Sequence, residues 1–105
     1  MSRLPLSLSI RPRYDRLQEL LTCDGEPLLL TAREFDLLVY LMKNPGVAFS
    51  RETLLQNVWG WDFGGGSRTV DMHVLTLRQK LGSHADLVET VRGVGYRLLK
   101  KAPSN

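Results

Sequence analysis

One stretch of the sequence, residues 68–81, combines side chains that suit contact with nucleic-acid bases. At about 100° per residue in a helix, one narrow side of this stretch is apolar and carries Val70, Val74, Leu77 and Leu81. The side chains nearest the opposite direction are Arg68, Met72, Leu75, Thr76 and Gln79. In a DNA major groove, arginine pairs with guanine, amides and hydroxyls bond to base edges, and apolar groups contact the thymine methyl. An ordinary solvent-facing helix is the alternative, but two large apolar residues on this face favour a nucleic-acid surface.

The remaining chemically reactive residues form no pattern that predicts catalysis. His73 stands in no recognisable motif with a serine or cysteine nucleophile. Cys23 is the only cysteine, so an internal disulfide is excluded, and one cysteine with two histidines does not indicate a structural zinc site. Gly93 and Gly95 lack the strand–GxGxxG–helix context of a dinucleotide site. The sequence therefore predicts a protein that is not an enzyme and that needs no metal or cofactor.

Length, composition and charge narrow the class of protein further. The 105 residues are 43% hydrophobic and 24% charged, which fits one globular domain. No apolar run approaches the roughly 18 residues that a membrane span needs, and no signal peptide is evident, so we expect a cytoplasmic protein. The formal charge is +3, and residues 67–105 hold seven bases against three acids. A solvated basic face and a face that binds a polyanion both fit this distribution.

The elements that position the candidate face begin with a predicted sheet. Residues 4–10 alternate apolar and polar side chains, which is typical of a half-buried strand. Residues 18–23 and 28–30 flank Asp24-Gly25, a dipeptide that favours a hairpin turn. The first thirty residues therefore predict a small antiparallel sheet, in which residues 11–16 have no clear assignment.

Three helices and a ribbon are predicted next. The N-cap candidates of the helices are Thr31, Ser50 and Ser67. Their ends are indicated by Asn44-Pro45-Gly46, by Gly60 and by a position near Leu81. Glu34 follows the first cap at the spacing of a capping box. Residues 87–91 and 96–99 then have strand patterns on either side of a glycine-containing turn with Arg92 near its tip. This order predicts an α+β fold, a winged helix-turn-helix with an N-terminal antiparallel sheet, three helices and a C-terminal β-hairpin wing.

Four segments closely resemble the signature motifs of one known family, in the same order and spacing. They are Leu30–Leu38, Ser50–Gly60, Arg68–Leu81 and Thr90–Arg97, which match a first helix, a second helix, a recognition helix and a wing. The family is the effector domain of OmpR/PhoB-type response regulators of bacterial two-component systems. We expect this winged-helix domain to occupy residues 1–101, with a short tail at residues 102–105.

The resemblance implies sequence-specific binding of double-stranded promoter DNA and regulation of transcription. It implies an N-terminal sheet of four strands, direct-repeat sites bound by a tandem homodimer, and contact with RNA polymerase. It also implies a phosphorelay in which a cognate histidine kinase acts through a receiver domain, which lies outside this chain. The alternative is a winged-helix module for protein–protein interaction. A steep salt dependence of binding to duplex DNA would distinguish the two, because counterion release scales with the number of phosphates contacted.

Individual positions take roles from the resemblance and from the helix face. The DNA-binding candidates are Arg51, Trp59, Arg68, Met72, His73, Thr76, Arg78, Gln79, Thr90, Arg92 and Tyr96. By resemblance, the third-helix residues other than Gln79 would meet the major groove or its phosphates, whereas Gln79 is a candidate from the helix face alone. The resemblance also implies that the last three form the wing contacts, with Arg92 in the minor groove, and that Arg51 and Trp59 touch backbone phosphates. The segment expected to contact RNA polymerase is Trp61, Asp62, Phe63, Gly64, Gly65 and Gly66.

Two positions depart from the family pattern. Many relatives carry one or two basic residues where this sequence has Leu75 and Thr76. Neither side chain can neutralise a phosphate, so we expect weaker DNA binding, with a shallower salt dependence, than in relatives with arginine there. Both side chains are expected to point away from the apolar stripe, so that changing them should spare the core.

Overall fold

A small antiparallel sheet precedes the helices. The computed structural model describes residues 8–12, 19–23, 26–60 and 64–99. The sheet contains β1 (Leu8–Pro12), β2 (Glu19–Cys23) and β3 (Glu26–Pro27), with β2 in the centre. The predicted N-terminal sheet is thus confirmed in its described part, where three strands are seen. Residues 28–30, predicted as strand, follow β3 without belonging to it, although the Leu28 amide still donates to the Leu21 carbonyl at 2.9 Å. The predicted strand residues 4–7 and the tail at 102–105 lie outside the described residues.

The first helix, α1 (Ala32–Met42), begins with the predicted capping box. The Thr31 hydroxyl oxygen accepts from the Glu34 amide at 3.2 Å, and Oε1 of Glu34 accepts from the Thr31 amide at 2.9 Å. Two of the helix's otherwise unpaired N-terminal donors are therefore satisfied reciprocally. The helix ends just before Asn44-Pro45-Gly46, where Gly46 takes a φ of 80°.

The second helical segment changes its geometry midway. A short α2 (Arg51–Leu54) begins at Ser50, whose hydroxyl accepts from the Thr53 amide at 3.1 Å, as predicted. A π-helical turn (Leu55–Trp59) then completes the segment, and the Gly60 amide donates to the Leu55 carbonyl at 3.0 Å. This wider turn is a departure from the regular helix that the sequence predicts. The chain leaves it at Gly60, whose φ of 109° favours glycine.

The third helix, α3 (Arg68–Leu81), has the predicted bounds but not the predicted cap. Ser67 takes a helical conformation and its side chain makes no capping hydrogen bond, so the predicted capping role of Ser67 is wrong. The Thr69 and Val70 amides bond instead to the carbonyls of the residues three positions before them. A tight first turn of this kind satisfies helix donors without a side chain. A 3₁₀ segment (Gly82–Leu87), not predicted from the sequence, follows the helix.

The wing is a hairpin whose second strand is central in a second sheet. The strands β5 (Val88–Val91) and β6 (Gly95–Leu98) are antiparallel, and a two-residue strand, β4 (Phe49–Ser50), pairs with the other edge of β6. The predicted wing is confirmed, whereas β4 was not predicted. Ser50 lies opposite Gly95, where a Cβ would overlap the backbone of Phe49.

One hydrophobic core joins the helices to the wing. Its buried apolar side chains in the described part of the chain are Leu21, Leu37, Leu38, Leu41, Leu54, Val70, Val74, Leu77, Leu81, Leu87, Val88 and Leu98. The apolar stripe predicted for α3 is fully buried within this set, which fixes the direction of the opposite face. Among the described helices, none has the length and apolar character that crossing a membrane requires.

Candidate nucleic-acid interface

The outer face of α3 presents apolar and polar side chains side by side. Met72 is 61% exposed and Leu75 is 57% exposed, although both are large and apolar. Arg68 and Gln79 are exposed on the same helix, near its two ends. The predicted orientation of these four side chains is confirmed. The face therefore offers a guanidinium, an amide and two apolar groups together, as base recognition requires.

Thr76 does not belong to this outer face, contrary to the sequence-based prediction. Its hydroxyl donates to Oε2 of Glu34 at 2.5 Å, and it also lies 3.2 Å from the His73 carbonyl oxygen. The physical reason is the burial of Glu34, which leaves a carboxylate oxygen that must find a donor inside the protein. Thr76 therefore faces α1, and a change there does not spare the interior.

Glu34 is the acceptor for three donors, the amide of the N-cap residue Thr31 and two side chains of α3. Its side chain is buried, with 2% of the residue exposed, and its Oε1 also accepts from Lys80 Nζ at 2.6 Å. Burial alone would raise the pKa of this carboxyl, but the hydrogen bonds from Lys80, Thr76 and the Thr31 amide lower the pKa to about 2. The sequence indicated the capping box but not this connection, because the two partners on α3 lie more than forty positions away.

A second carboxylate, Asp71, joins α2, α3 and the wing. Its Oδ2 accepts from Arg51 Nη1 at 2.8 Å, and its Oδ1 accepts from the Tyr96 hydroxyl at 2.6 Å. The Tyr96 hydrogen bond, assisted by Arg51 against the opposing effect of burial, lowers the pKa of Asp71. Burial together with the bond to Asp71 raises the pKa of Tyr96 to about 12. Asp71 is therefore a carboxylate, and Tyr96 a neutral donor, at neutral pH.

An open groove connects this junction to the tip of the wing. Its lining includes Arg51, Asp71, Arg92 and Tyr96. Arg92 is exposed at the hairpin turn, next to Gly93, whose φ of 78° lets the chain reverse tightly. Thr90 lines the same groove, so the structure brings all three predicted wing residues and the predicted phosphate contact of α2 together.

Arg78 fastens the C-terminal half of α3 to the wing. Its Nε and Nη2 donate to the Val88 carbonyl at 2.9 and 2.7 Å, and Nη2 also donates to Thr90 Oγ1 at 2.8 Å. The guanidinium carbon lies 5.7 Å from the centre of the Tyr96 ring. These contacts hold three of the DNA-binding candidates in one arrangement.

A stack of three side chains borders the other flank of α3. The Trp59 ring meets His73 edge-on, with 5.0 Å between centroids, and the Arg33 guanidinium lies 5.5 Å from the Trp59 ring centre. Nδ1 of His73 lies 2.8 Å from the Thr69 carbonyl oxygen. Because a carbonyl oxygen only accepts, a hydrogen is assigned to Nδ1. The opposite edge of the imidazole ring points away from the Thr69 carbonyl.

The glycine segment between the second and third helices is only partly described. Gly64, Gly65 and Gly66 are exposed and belong to no helix or strand. Trp61, Asp62 and Phe63 lie outside the described residues. The predicted loop is therefore confirmed for the three glycines.

Comparisons with known proteins agree with this geometry. The family model described as "Transcriptional regulatory protein, C terminal" matches residues 25–98. The transcriptional regulatory protein YclJ of Bacillus subtilis is 54% identical over 76 residues, which are 70% of this chain and 34% of YclJ. This chain thus spans about a third of the length of the curated relatives that it matches.

Two solved structures share the fold. The DNA-binding domain of Bacillus subtilis CssR is 38% identical, with 87% of this chain and all of that domain covered at a TM-score of 0.67. The DNA-binding domain of the response regulator AdeR, solved in complex with an intercistronic region, is 30% identical. The match covers 87% of this chain and 94% of that domain, at a TM-score of 0.70. The chain therefore belongs to the family of C-terminal domains of transcriptional regulatory proteins, and it is a winged-helix DNA-binding domain of the OmpR/PhoB response-regulator type.

Proposed function

We propose that this domain recognises specific promoter sequences by placing the outer face of α3 in the major groove and the wing on the adjacent minor groove. The observation that carries the proposal is the exposure of Met72 and Leu75 between Arg68 and Gln79. Water is a poor environment for two neighbouring apolar side chains, whereas thymine methyl groups in a major groove are a good one. Arg68 and Gln79 supply hydrogen bonds to base edges.

The other candidates position the duplex. Arg51 and Trp59 contact DNA phosphates beside the major groove, while Arg92 enters the minor groove. Further contacts to the DNA backbone come from residues on the two flanks of α3. They are His73, beside Trp59, and Arg78, Thr90 and Tyr96, beside the wing. Thr76 faces α1 and donates its hydroxyl hydrogen to Glu34, so it has no place among the proposed DNA contacts. Contacts to phosphate fix the register of the protein, and contacts to bases select the sequence.

Selection of bound sequences from random duplex DNA tests this proposal. We expect one enriched motif, and binding to it should weaken steeply as salt rises, by about 0.9 logarithmic units per phosphate contacted for each tenfold salt increase. Met72→Ala and Leu75→Ala should relax the motif at thymine positions, with Leu29→Ala as the control, since Leu29 is an exposed apolar residue outside α3. The absence of an enriched motif would contradict the proposal and favour a protein–protein module.

We further propose that two copies bind direct repeats in tandem. The sequence pattern shows no heptad seam or long hydrophobic helix that would hold a dimer in dilute solution. Sedimentation without DNA should therefore give a monomer, and duplexes with direct half-sites spaced at about 10–11 bp should bind two copies. A constitutive dimer, or preference for inverted half-sites, would contradict this arrangement.

In the intact regulator, we propose that residues 61–66 contact RNA polymerase and that a histidine kinase controls the domain through a receiver domain outside this chain. The exposure of the three glycines supports an accessible segment. Trp61→Ala in the full-length regulator should leave the DNA footprint unchanged and reduce transcription from an activated promoter. Equal loss of footprint and transcription would place Trp61 in the fold or the DNA interface instead.

A further inference from the structure

Asp71 brings a negative charge to the surface that faces DNA. It lies in the first turn of α3, between the exposed Arg68 and Met72, and it lines the groove that leads to Arg92. Its two oxygens are bonded to Arg51 of α2 and Tyr96 of β6. A carboxylate in this place repels the phosphates of DNA. Charge attraction to DNA therefore does not explain why Asp71 is present.

The Arg51–Asp71 ion pair changes what Arg51 offers to a duplex. The Nη1–Oδ2 distance of 2.8 Å is that of a charge-assisted hydrogen bond, and the positive charge of Arg51 is already balanced. Affinity for DNA of any sequence comes from the release of counterions by uncompensated positive charge. The pair therefore contributes little to binding at random sequence.

The same pair fixes the direction in which Arg51 can bind. A guanidinium carries five N–H donors in a rigid fork, so it can serve a carboxylate on one edge and a phosphate on another only in one relative orientation. Asp71 sets that orientation, and its bond to Tyr96 ties the orientation to the wing strand. Arg51 can then bind a phosphate only when the wing and α3 both occupy their correct positions on the DNA.

We propose that Asp71 is a specificity-determining residue, which lowers the affinity for random DNA and directs Arg51 to a phosphate that only the correct register supplies. This inference rests on the proposed binding of specific DNA by the same surface. It concerns the ratio of the affinities for selected and random duplexes rather than either affinity alone, because that ratio governs occupancy among competing genomic sites.

Salt titration of Asp71→Asn on the selected site and on random duplex tests the proposal. Asparagine keeps an acceptor for Tyr96 and removes the charge that balances Arg51. The slope on random duplex should steepen by up to about 0.9, which is roughly a 3.5-fold larger loss of affinity between 50 and 200 mM salt. Affinity for the selected site should rise less, so that the specificity ratio falls severalfold.

Glu89→Gln is the matched control. Glu89 pairs with Arg97 within the wing at 2.5 Å, and the exposures of the two side chains resemble those of the Arg51–Asp71 pair. The change in net charge is therefore the same, but the arginine that it releases does not line the groove. A smaller steepening in Glu89→Gln than in Asp71→Asn supports the proposal. An equal steepening overturns it, since bulk charge would then explain the effect.

A double variant, Arg51→Gln with Asp71→Asn, gives a second measurement in which the net charge does not change. Because the pair is neutral as a whole, its removal should change the slope on random duplex by far less than 0.9, while weakening the selected site. A loss of about 0.9 on random duplex in the double variant overturns the proposal, since Arg51 would then neutralise a phosphate at any sequence. Unchanged affinity for the selected site also overturns it. If the unmodified domain prefers its selected site and Asp71→Asn leaves the specificity ratio unchanged, only this inference fails. If the unmodified domain shows no preference for any site, the proposed function fails as well.

Discussion

The hydroxyl of Thr76 lies 2.5 Å from Oε2 of Glu34, and this hydrogen bond joins the middle of the recognition helix α3 to the first turn of α1. Lys80 reaches the other oxygen of the same carboxylate one turn later. The glutamate of the α1 capping box thus also helps to hold the rotation of α3 about its axis. Together with the buried apolar stripe of α3, these bonds keep Met72 and Leu75 on the exposed side of the helix.

The pKa of Glu34 predicts a loss of stability in acid. Its folded value of about 2 lies below its ordinary value of 4.5, so the ionised carboxylate stabilises the fold above pH 4.5, and this contribution disappears as the pH falls toward 2. At 1.36 kcal/mol per pKa unit, the contribution is roughly 3 kcal/mol. Urea unfolding of the wild type and Glu34→Gln should differ by a constant amount above pH 5, and the difference should shrink between pH 4.5 and 2. A difference that stays constant down to pH 2.5 would contradict the assigned pKa.

Leu75 and Thr76 should respond to substitution in opposite ways. Leu75→Arg adds a charge to an exposed face, so it should steepen the salt dependence of DNA binding by up to about 0.9 and leave stability within about 0.5 kcal/mol. Thr76→Val removes a donor to a buried carboxylate, so it should cost about 1–3 kcal/mol of stability with little change in salt slope. Urea denaturation and salt titration of both variants check this. Equal stability of the two variants would mean that the Thr76 hydrogen bond contributes nothing.

Arg92→Ala should weaken DNA binding without affecting the fold, because Arg92 is exposed at the hairpin turn. The loss should be greatest where the flanking sequence is rich in A·T pairs, since a narrow minor groove has a more negative potential. Binding titrations on duplexes that differ only in the flank measure this difference. Val94→Ala, at an exposed position of the same turn, is the control. Unchanged affinity in Arg92→Ala would show that the wing tip does not reach the duplex.

The two wing glycines should tolerate alanine to different degrees. At Gly93 the surroundings are open, and only the positive φ of 78° opposes a side chain, which costs about 1–2 kcal/mol. At Gly95 a Cβ would overlap the carbonyl oxygen of Phe49, so Gly95→Ala must separate β6 from β4. Chemical denaturation should therefore show a larger loss of stability for Gly95→Ala. The reverse order would contradict the β4–β6 pairing.

Local sequence signals predicted the positions of the three helices and of the wing strands. Three predicted features depend only on residues that are close together in the sequence, and the structure shows all three. They are the capping box at Thr31, the cap at Ser50 and the apolar stripe of α3. The cap at Ser67 failed because a tight first turn can satisfy the same amides without a side chain. The π-helical turn before Gly60 was also not predicted, since it differs from an α-helix by one residue in its hydrogen-bond spacing.

The candidate interface was predictable as a list of side chains but not as a set of connections. The helix face was derived from an angle per residue, and exposure of Met72 and Leu75 agrees with it. Thr76 failed because angle alone cannot show that a carboxylate from α1 reaches it. The convergence of Arg51 and Tyr96 on Asp71 joins three elements far apart in the sequence, and no local pattern encodes such a meeting.

The central position of β6 has a consequence for the order in which the domain folds. Its partner β5 is the adjacent strand of a hairpin, so that pairing can form locally and quickly. Its other partner, β4, precedes α2 and α3, so that pairing must close a loop containing both helices. Contacts of such long sequence separation slow folding, and the wing therefore acquires its final anchorage only when the helical segment has condensed.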